Sequence, residues 1–557
     1  MHRAGRRWSM RAVVVLALLV WGCDDAALES DAPDPPDEAT DAGTGTGEAG
    51  SEAGGGTADD DPTESQEDTA GAPGDPSADL PEGVLFAAIG DAPDTLDPHE
   101  ATGLTRLAVL ENVYDRLVEP NGVDGVEPAL AERWEPVDGG QRWVFELREG
   151  VRWHDGAELD GHDVRYSIER AKSAQQPDRL GDVSSVEVPD EHTVEVVLEE
   201  PRANLPADLG RGRGVAIVPE GSGEVLRDDP VGTGPFAVAD ATGATELELE
   251  AFSDHWGGAP ELDGITYRTV RDDTARMDAL AAGEVDWAHR VTAEVRARDA
   301  DGEPEWDDVI IGTRPRPATV AYALNHDRQP WAEAPVREAL AAAVRRGTIA
   351  EAARRGAAQP GRTALPPGTR YHIPGPPGLG AGGATADPLG AAGLEEDALE
   401  GLELDLLVPD DDEARRVGSA LAAQWRGIGL DARTRVAAPE RYESALRDGA
   451  FDATLVRLED HRDPADTYEA PLHSEGAHNV HGFVDEEVDA ILEEARQILD
   501  PQERAEAYER AVDRIREQHA LTYLYHPLEI QGWRADVTGY EIRGEGSVRF
   551  EDVSVER

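Results

Sequence analysis

Cysteine occurs once in the 557 residues, at Cys23. An intramolecular disulfide is therefore excluded, as is any Cys-based metal site, and stability has to come from a packed core. Lysine is equally scarce. Lys172 is the sole example, so the 52 basic residues are nearly all arginine, and against 115 Asp and Glu they leave a formal net charge of −63. Such a chain lacks the basic footprint that nucleic acid or anionic lipid requires. A preference for cationic ligands is one reading of the sign; a compositional bias is the other, and it is favoured because net charge governs solubility rather than a site. Long apolar runs are missing too, apart from Ala12 to Gly22, which is too short to span a bilayer well. No Gly-x-Ser-x-Gly elbow, His-Glu-x-x-His helix or nucleophilic cysteine is present, and acid pairs are too abundant to single out. The chain does not read as an enzyme.

What the sequence does contain begins with a processing signal. Arg3, Arg6, Arg7 and Arg11 precede the apolar run, and Gly22-Cys23 follows it. This conjunction resembles a bacterial lipoprotein box, which implies a signal peptide over 1–22, lipid on Cys23, and an exported protein anchored to the cell membrane and facing the periplasm or the outside. Between Asp24 and Leu80 there is no Lys or Arg and hardly a large apolar residue. That composition cannot bury enough apolar surface to offset ordering entropy, so 23–82 reads as a disordered acidic tether, extended by self-repulsion.

From Gly83 the pattern becomes that of a multidomain globular protein. Trp143, Phe145 and Leu147 alternate with Val144, Glu146 and Arg148, predicting a strand. Val151 to Trp153 predicts a second short one, His154-Asp155-Gly156 a tight turn, and Val164, Tyr166, Ile168 and Ala171 a helix started by Asp160 or Asp163. Leu107 to Val118 reads as a helix, and Val183–Val188 with Thr193–Leu198 as a hairpin. In Pro230-Val231-Gly232-Thr233-Gly234-Pro235 the two glycines permit close backbone approach, and the absence of a following Lys-Ser or Lys-Thr excludes a phosphate loop. Leu402–Val408, Asp412–Ile428 and Asp431–Val436 form a βαβ pattern, which implies parallel strands. Phe451–Leu458 is a further strand, and Ala520–Tyr525 returns the chain through a hinge. Pro366 to Gly393 reads as a long surface loop.

Leu147-Arg148-Glu149-Gly150-Val151-Arg152-Trp153-His154-Asp155-Gly156, Asn112 to Leu117, Pro230 to Phe236 and His255-Trp256-Gly257 stand in the order seen in extracytoplasmic solute-binding proteins of family 5. These are the oligopeptide, dipeptide and nickel receptors of ABC importers. The resemblance covers about residues 83 to 545. It implies an α/β, two-lobed periplasmic-binding-protein fold of type II, with hinged lobes and an extra subdomain on the first. On that template lobe I is 83–125, 210–315 and 526–557, its accessory subdomain is 126–209, and lobe II is 316–525. It also implies a monomer that delivers a short peptide to permease and ATPase subunits without a cofactor. An oligosaccharide or metal-chelate receptor, or an orphan surface lipoprotein acting as a sensor, remains open as an alternative.

By the same resemblance, Asp460 in Asp460-His461-Arg462-Asp463-Pro464 holds a peptide α-amino group, which must be paired once it is buried. A turn-capping Asp is the plainer reading. Arg457, where many relatives carry a large aromatic residue, could take a carboxylate bidentately, or be a surface arginine. His461 belongs with His473, His478 and His481, but no pair has helical metal-ligand spacing, so these read as loop histidines near a cleft and no metal is expected. Asp94, in the turn-rich loop after Val84–Ile89, and Asn325, closing the strand Thr319–Leu324, complete the candidate ligand contacts.

Overall fold

The computed structural model describes residues 80–101, 105–121, 125–174, 180–210, 214–241, 245–291, 308–369, 371–375, 384–458, 464–543 and 547–557. Strand β1 (Val84–Ile89) is apolar throughout and buried at five of its six positions, as a strand covered on both faces must be. A hairpin of β2 (Val118–Asn121) and β3 (Gly125–Pro128) follows. Then comes a four-stranded antiparallel sheet of β4 (Ala131–Val137), β5 (Arg142–Leu147), β6 (Val183–Asp190) and β7 (Thr193–Leu198), in spatial order β4-β5-β7-β6. The alternation in β5 buries Trp143, Phe145 and Leu147 against Val164, Ile168 and Ala171 of the helix Gly161–Ala174, which gives this sheet its own core. The short second strand at 151–153 reduces to one bridge, Arg152 with Glu158.

The main sheet takes β8 (Phe236–Asp240), β9 (Glu246–Ala251), β10 (Gly264–Thr269), β11 (Trp287–Ala288) and β12 (Val309–Pro315) into the first lobe. The second lobe holds β13 (Thr319–Leu324), β14 (Ala358–Pro360), β15 (Glu403–Pro409), β16 (Asp431–Ala437) and β17 (Ala453–Leu458). β15 and β16 are parallel, as the βαβ pattern requires, with the helix Asp412–Arg426 packed on them. The return strand β18 (Thr522–Arg534) is longer than the apolar run Ala520–Tyr525 suggests, because each half finds its own partners. Its first half pairs with β13, and its second half pairs with β11 and β12. One strand therefore serves both lobes. β12 runs antiparallel beside it as far as Pro315, after which Arg316 N–H donates to Pro527 O at 2.8 Å and the chain passes into β13. These two crossings form the hinge.

The helix predicted over 107–118 stops at Leu110 (Thr105–Leu110). Tertiary contacts override the apolar period beyond it. The Asn112 side chain donates to Ala108 O at 3.1 Å and Val548 O at 2.9 Å and accepts from Phe550 N–H at 3.0 Å, tying the segment to the C-terminal residues. Gly232 and Gly234 pack directly onto it. A Cβ on Gly232 would lie 1.9 Å from Val113 O, so the close approach expected of these glycines is real. Within the long loop predicted from Pro366, the residues Pro388–Ala391 form a short helix capped by Asp387.

Candidate functional site

The carboxyl ends of β1 and β11 in one lobe, and of β15 and β17 in the other, meet the hinge strands. Open α/β sheets present their ligand-binding loops at such ends.

In the first lobe, the loop after β1 is fixed by Asp97, which is fully buried. Its Oδ1 accepts from Arg170 Nη1 at 2.9 Å and from His99 N–H at 3.0 Å, and Arg170 Nη2 contacts its Oδ2. Asp94 lies exposed on this same loop. At the end of β11 stand His289 and Arg290. Arg290 adopts φ 52°, a left-handed conformation that costs a non-glycine residue about 1–3 kcal/mol. The buried Arg276 holds it there, donating to the carbonyls of His289 and Arg290 at 2.8 Å each. His289 stacks on Trp287, with ring centroids 5.6 Å apart, and its Nε2 lies 3.4 Å from Glu529 Oε1 on β18. Burial pushes the Glu529 carboxyl up, but His289, Arg290 and Arg316 outweigh it and hold the group down at about 2. Burial keeps His289 below the usual imidazole range despite Glu529. Arg316, on the hinge itself, has its Nε 4.0 Å from Glu529 Oε2. Burial, and then Arg290, brings Arg316 down to about 10, so it is protonated at neutral pH.

In the second lobe, Glu413 occupies the first turn of the helix Asp412–Arg426, which starts where Asp411 accepts from Ala414 N–H at 2.8 Å. Arg354 grips Glu413 bidentately, Nε to Oε1 at 3.0 Å and Nη2 to Oε2 at 2.8 Å, and the Tyr525 hydroxyl donates to Oε1 at 2.5 Å. Burial raises the Glu413 carboxyl, yet Arg354, with Arg457 and Tyr525, brings it below its ordinary value. Arg457 lies half-buried near the end of β17, opposite Val320 and on the strand face shared with Leu455. Its charge acts on Glu413, Tyr525 and Arg316.

The hinge thus carries a row of arginines, Arg290, Arg316, Arg354 and Arg457, interspersed with Glu413 and Glu529. Guanidinium groups in low dielectric suit a carboxylate or another planar anion. Among the described residues of this cleft, the polar groups form ion pairs and hydrogen bonds rather than a nucleophile with its base.

Of the residues singled out in the sequence, Arg457 joins this cluster and Asp94 lies exposed on the loop after β1. Asn325 does something else. Its Nδ2 donates to Gly449 O and Phe451 O, both at 3.1 Å, and its Oδ1 accepts from Asp327 N–H at 3.0 Å. The carboxamide is engaged by backbone and pins the end of β13. Asp460 and His461 fall within 459–463, outside the described residues. The sequence reading missed Arg316, His289, Glu529, Glu413 and Arg354. Nothing local in Arg314-Pro315-Arg316-Pro317 marks Glu529 as a partner of Arg316. Of the other histidines, His481 is buried against His326, ring centroids 5.5 Å apart, and burial followed by His326 pushes it down to about 3. His473 Nε2 lies 3.4 Å from Glu493. The described residues contain no group of three or more metal-ligating side chains.

The model of the bacterial extracellular solute-binding proteins, family 5 (middle region), matches residues 125–479. The dipeptide-binding protein of Escherichia coli K12 is 28% identical over 512 residues, covering 84% of this chain and 93% of its own length. Heme-binding protein A of Haemophilus influenzae is 27% identical over 501 residues, covering 82% and 89%. The unliganded open form of the periplasmic murein tripeptide binding protein superposes with a TM-score of 0.75 at 21% identity, covering 86% of this chain and 98% of that one.

Proposed function

The chain belongs to the bacterial extracellular solute-binding proteins of family 5, and from that premise we propose that it is the substrate-binding component of an ABC importer for short peptides. The peptide lies in the hinge cleft, and its extra affinity for the closed form holds the two lobes together until the permease receives it. Lobe I is 83–125, 210–315 and 526–557 with 126–209 as its subdomain, and lobe II is 316–525; the strand pairing, with β12 and β18 crossing between sheets, supports this division.

The observation that carries the reading is the position of Arg457. It stands in a cationic cluster near the carboxyl end of β17, and Asp460 follows it by three residues in the sequence, so this stretch of chain carries both a cation and an anion. A peptide needs both, an acid for its ammonium and a guanidinium for its carboxylate, because either charge is costly to bury alone. Asp460 takes the α-amino group and Arg457 the carboxylate, while His461 and Asp94 approach the same ligand from the two lobes. The dipeptide- and tripeptide-binding names among the relatives support this class of ligand. Lipid on Cys23 anchors the protein outside the cytoplasm, with 23–82 as tether. No helix among the described residues is long and apolar enough to cross a membrane. Detergent partitioning of the protein and of Cys23→Ser tests the anchor, which predicts that the variant leaves the detergent phase.

Calorimetry on Asp460→Ala with a tripeptide and its N-acetylated form tests the ligand assignment. Asp460→Ala weakens the free tripeptide at least tenfold and barely alters the acetylated one. Equal losses for both would remove Asp460 from the anchoring role.

A further inference from the structure

Arg316 differs from its neighbours in the cluster. Arg354 is held bidentately by Glu413, and Arg290 is fixed by its backbone conformation and the Arg276 clamp. Among the described residues, the carboxylate nearest Arg316 is Glu529, 4.0 Å from Nε and already 3.4 Å from His289. Among the described residues, no hydrogen bond to the Arg316 guanidinium is found, although its side chain is only 12% exposed. Its backbone is firmly held: Arg316 N–H donates to Pro527 O at 2.8 Å, Ala318 N–H donates to Arg316 O at 2.7 Å, and prolines flank it on both sides. A charged fork with five donors is thus fixed on the strand that joins the lobes, with its terminal nitrogens unmatched. The side chain is largely enclosed but its nitrogens keep contact with solvent, so an incoming anion can reach donors that no described residue takes up. The charges around it make the site more anion-seeking still: Arg290, Arg354 and Arg457 all act on it, and Glu529 offsets them in part. All this stands in a chain whose overall sign is strongly negative.

We propose that Arg316 is a specificity-determining residue that receives a second anionic group of the ligand, so that the cleft selects solutes carrying a carboxylate beyond the one a simple peptide terminus supplies. For the peptide reading, on which this inference builds, the preferred substrates are short peptides with an acidic side chain. Because Arg316 sits on the crossing between lobes, an anion bound there contacts the hinge and both walls together, and its binding favours closure.

The test is calorimetry on the full protein with three peptide pairs, Glu-Ala-Ala and Gln-Ala-Ala, Ala-Glu-Ala and Ala-Gln-Ala, Ala-Ala-Glu and Ala-Ala-Gln. The wild type binds the Glu member of at least one pair ten- to a hundredfold more tightly, the range of a charge-assisted hydrogen-bonded pair. In Arg316→Gln that ratio falls to near one, and in Arg316→Lys it is partly retained. A wild-type ratio near one for every pair, or an unchanged ratio in Arg316→Gln, overturns the proposal, and the first of these outcomes needs no variant to fold. Citrate serves as a probe that does not depend on the peptide reading. If no peptide binds but citrate raises the melting temperature of the wild type and not of Arg316→Gln, the peptide assignment falls and the anion site stands. If citrate shifts both proteins equally, or neither, and no peptide binds, the anion site falls as well.

Discussion

Gly232 and Val113 O are so close that any side chain at 232 has to move backbone. Gly232→Ala is expected to cost roughly 1–3 kcal/mol, the usual range for forcing a methyl into a packed site, and urea denaturation measures it. Asn325 makes a contrasting case at the same scale. With three hydrogen bonds to backbone at the end of β13, Asn325→Ala should lose about 1–3 kcal/mol of stability while ligand affinity changes less than threefold. A large affinity loss with unchanged stability would restore it as a ligand contact. Glu529 sets a pH dependence. Its carboxyl sits at about 2, below the ordinary 4.5, so its contribution is fully present above about pH 4.5 and is lost as pH falls toward 2. That loss is roughly 3 kcal/mol, and Glu529→Gln should flatten this limb of the stability curve. Sequence could single out Arg457 because the motif around it is local. It could not show Arg316, whose meaning depends on Glu529 and on three arginines from separate parts of the chain, Arg290, Arg354 and Arg457.

Among elements, the ones read correctly were those whose pattern is set by one packed face. β5 alternates against one core. The helices Glu486–Gln497 and Pro501–Glu517 start at Asp485 and Asp500, whose side chains accept from first-turn amides. Asp485 does two jobs at the first of these. It accepts from Glu487 and Val488 N–H at 3.0 and 3.2 Å, and it receives Arg514 Nε at 2.9 Å from the following helix. Asp485→Ala is expected to cost about 1–2 kcal/mol, and Asp485→Asn less, since an amide oxygen still caps; thermal unfolding distinguishes them. The helix predicted across 107–118 failed for the opposite reason. Leu110, Val113 and Leu117 are buried, but Asn112 and the facing glycines bind the segment as irregular chain, a long-range effect that periodicity does not encode. β18 was read too short because an edge of apolar residues marks only its half in the second lobe. The half bearing Glu529 and Gln531 is buried by pairing with β11 and β12.

For the whole molecule, charge and fold act in different places. A net charge of −63 repels itself over the surface, and salt screens that repulsion. The melting temperature should therefore rise between 10 and 500 mM NaCl; a fall would mean that favourable ion pairs outweigh the surface repulsion. The hinge gathers four arginines, Arg290, Arg316, Arg354 and Arg457, against Glu413 and Glu529, and the proposed ligand site rests on that local excess. The most direct test of the receptor assignment is native mass spectrometry of the purified protein, followed by release and sequencing of what it carries. Adducts of short-peptide mass are expected, which rebind and raise the melting temperature by an amount equivalent to about 2.7 kcal/mol at a hundredfold the dissociation constant. A carried porphyrin or sugar, or an empty protein that no peptide stabilises, would contradict that assignment.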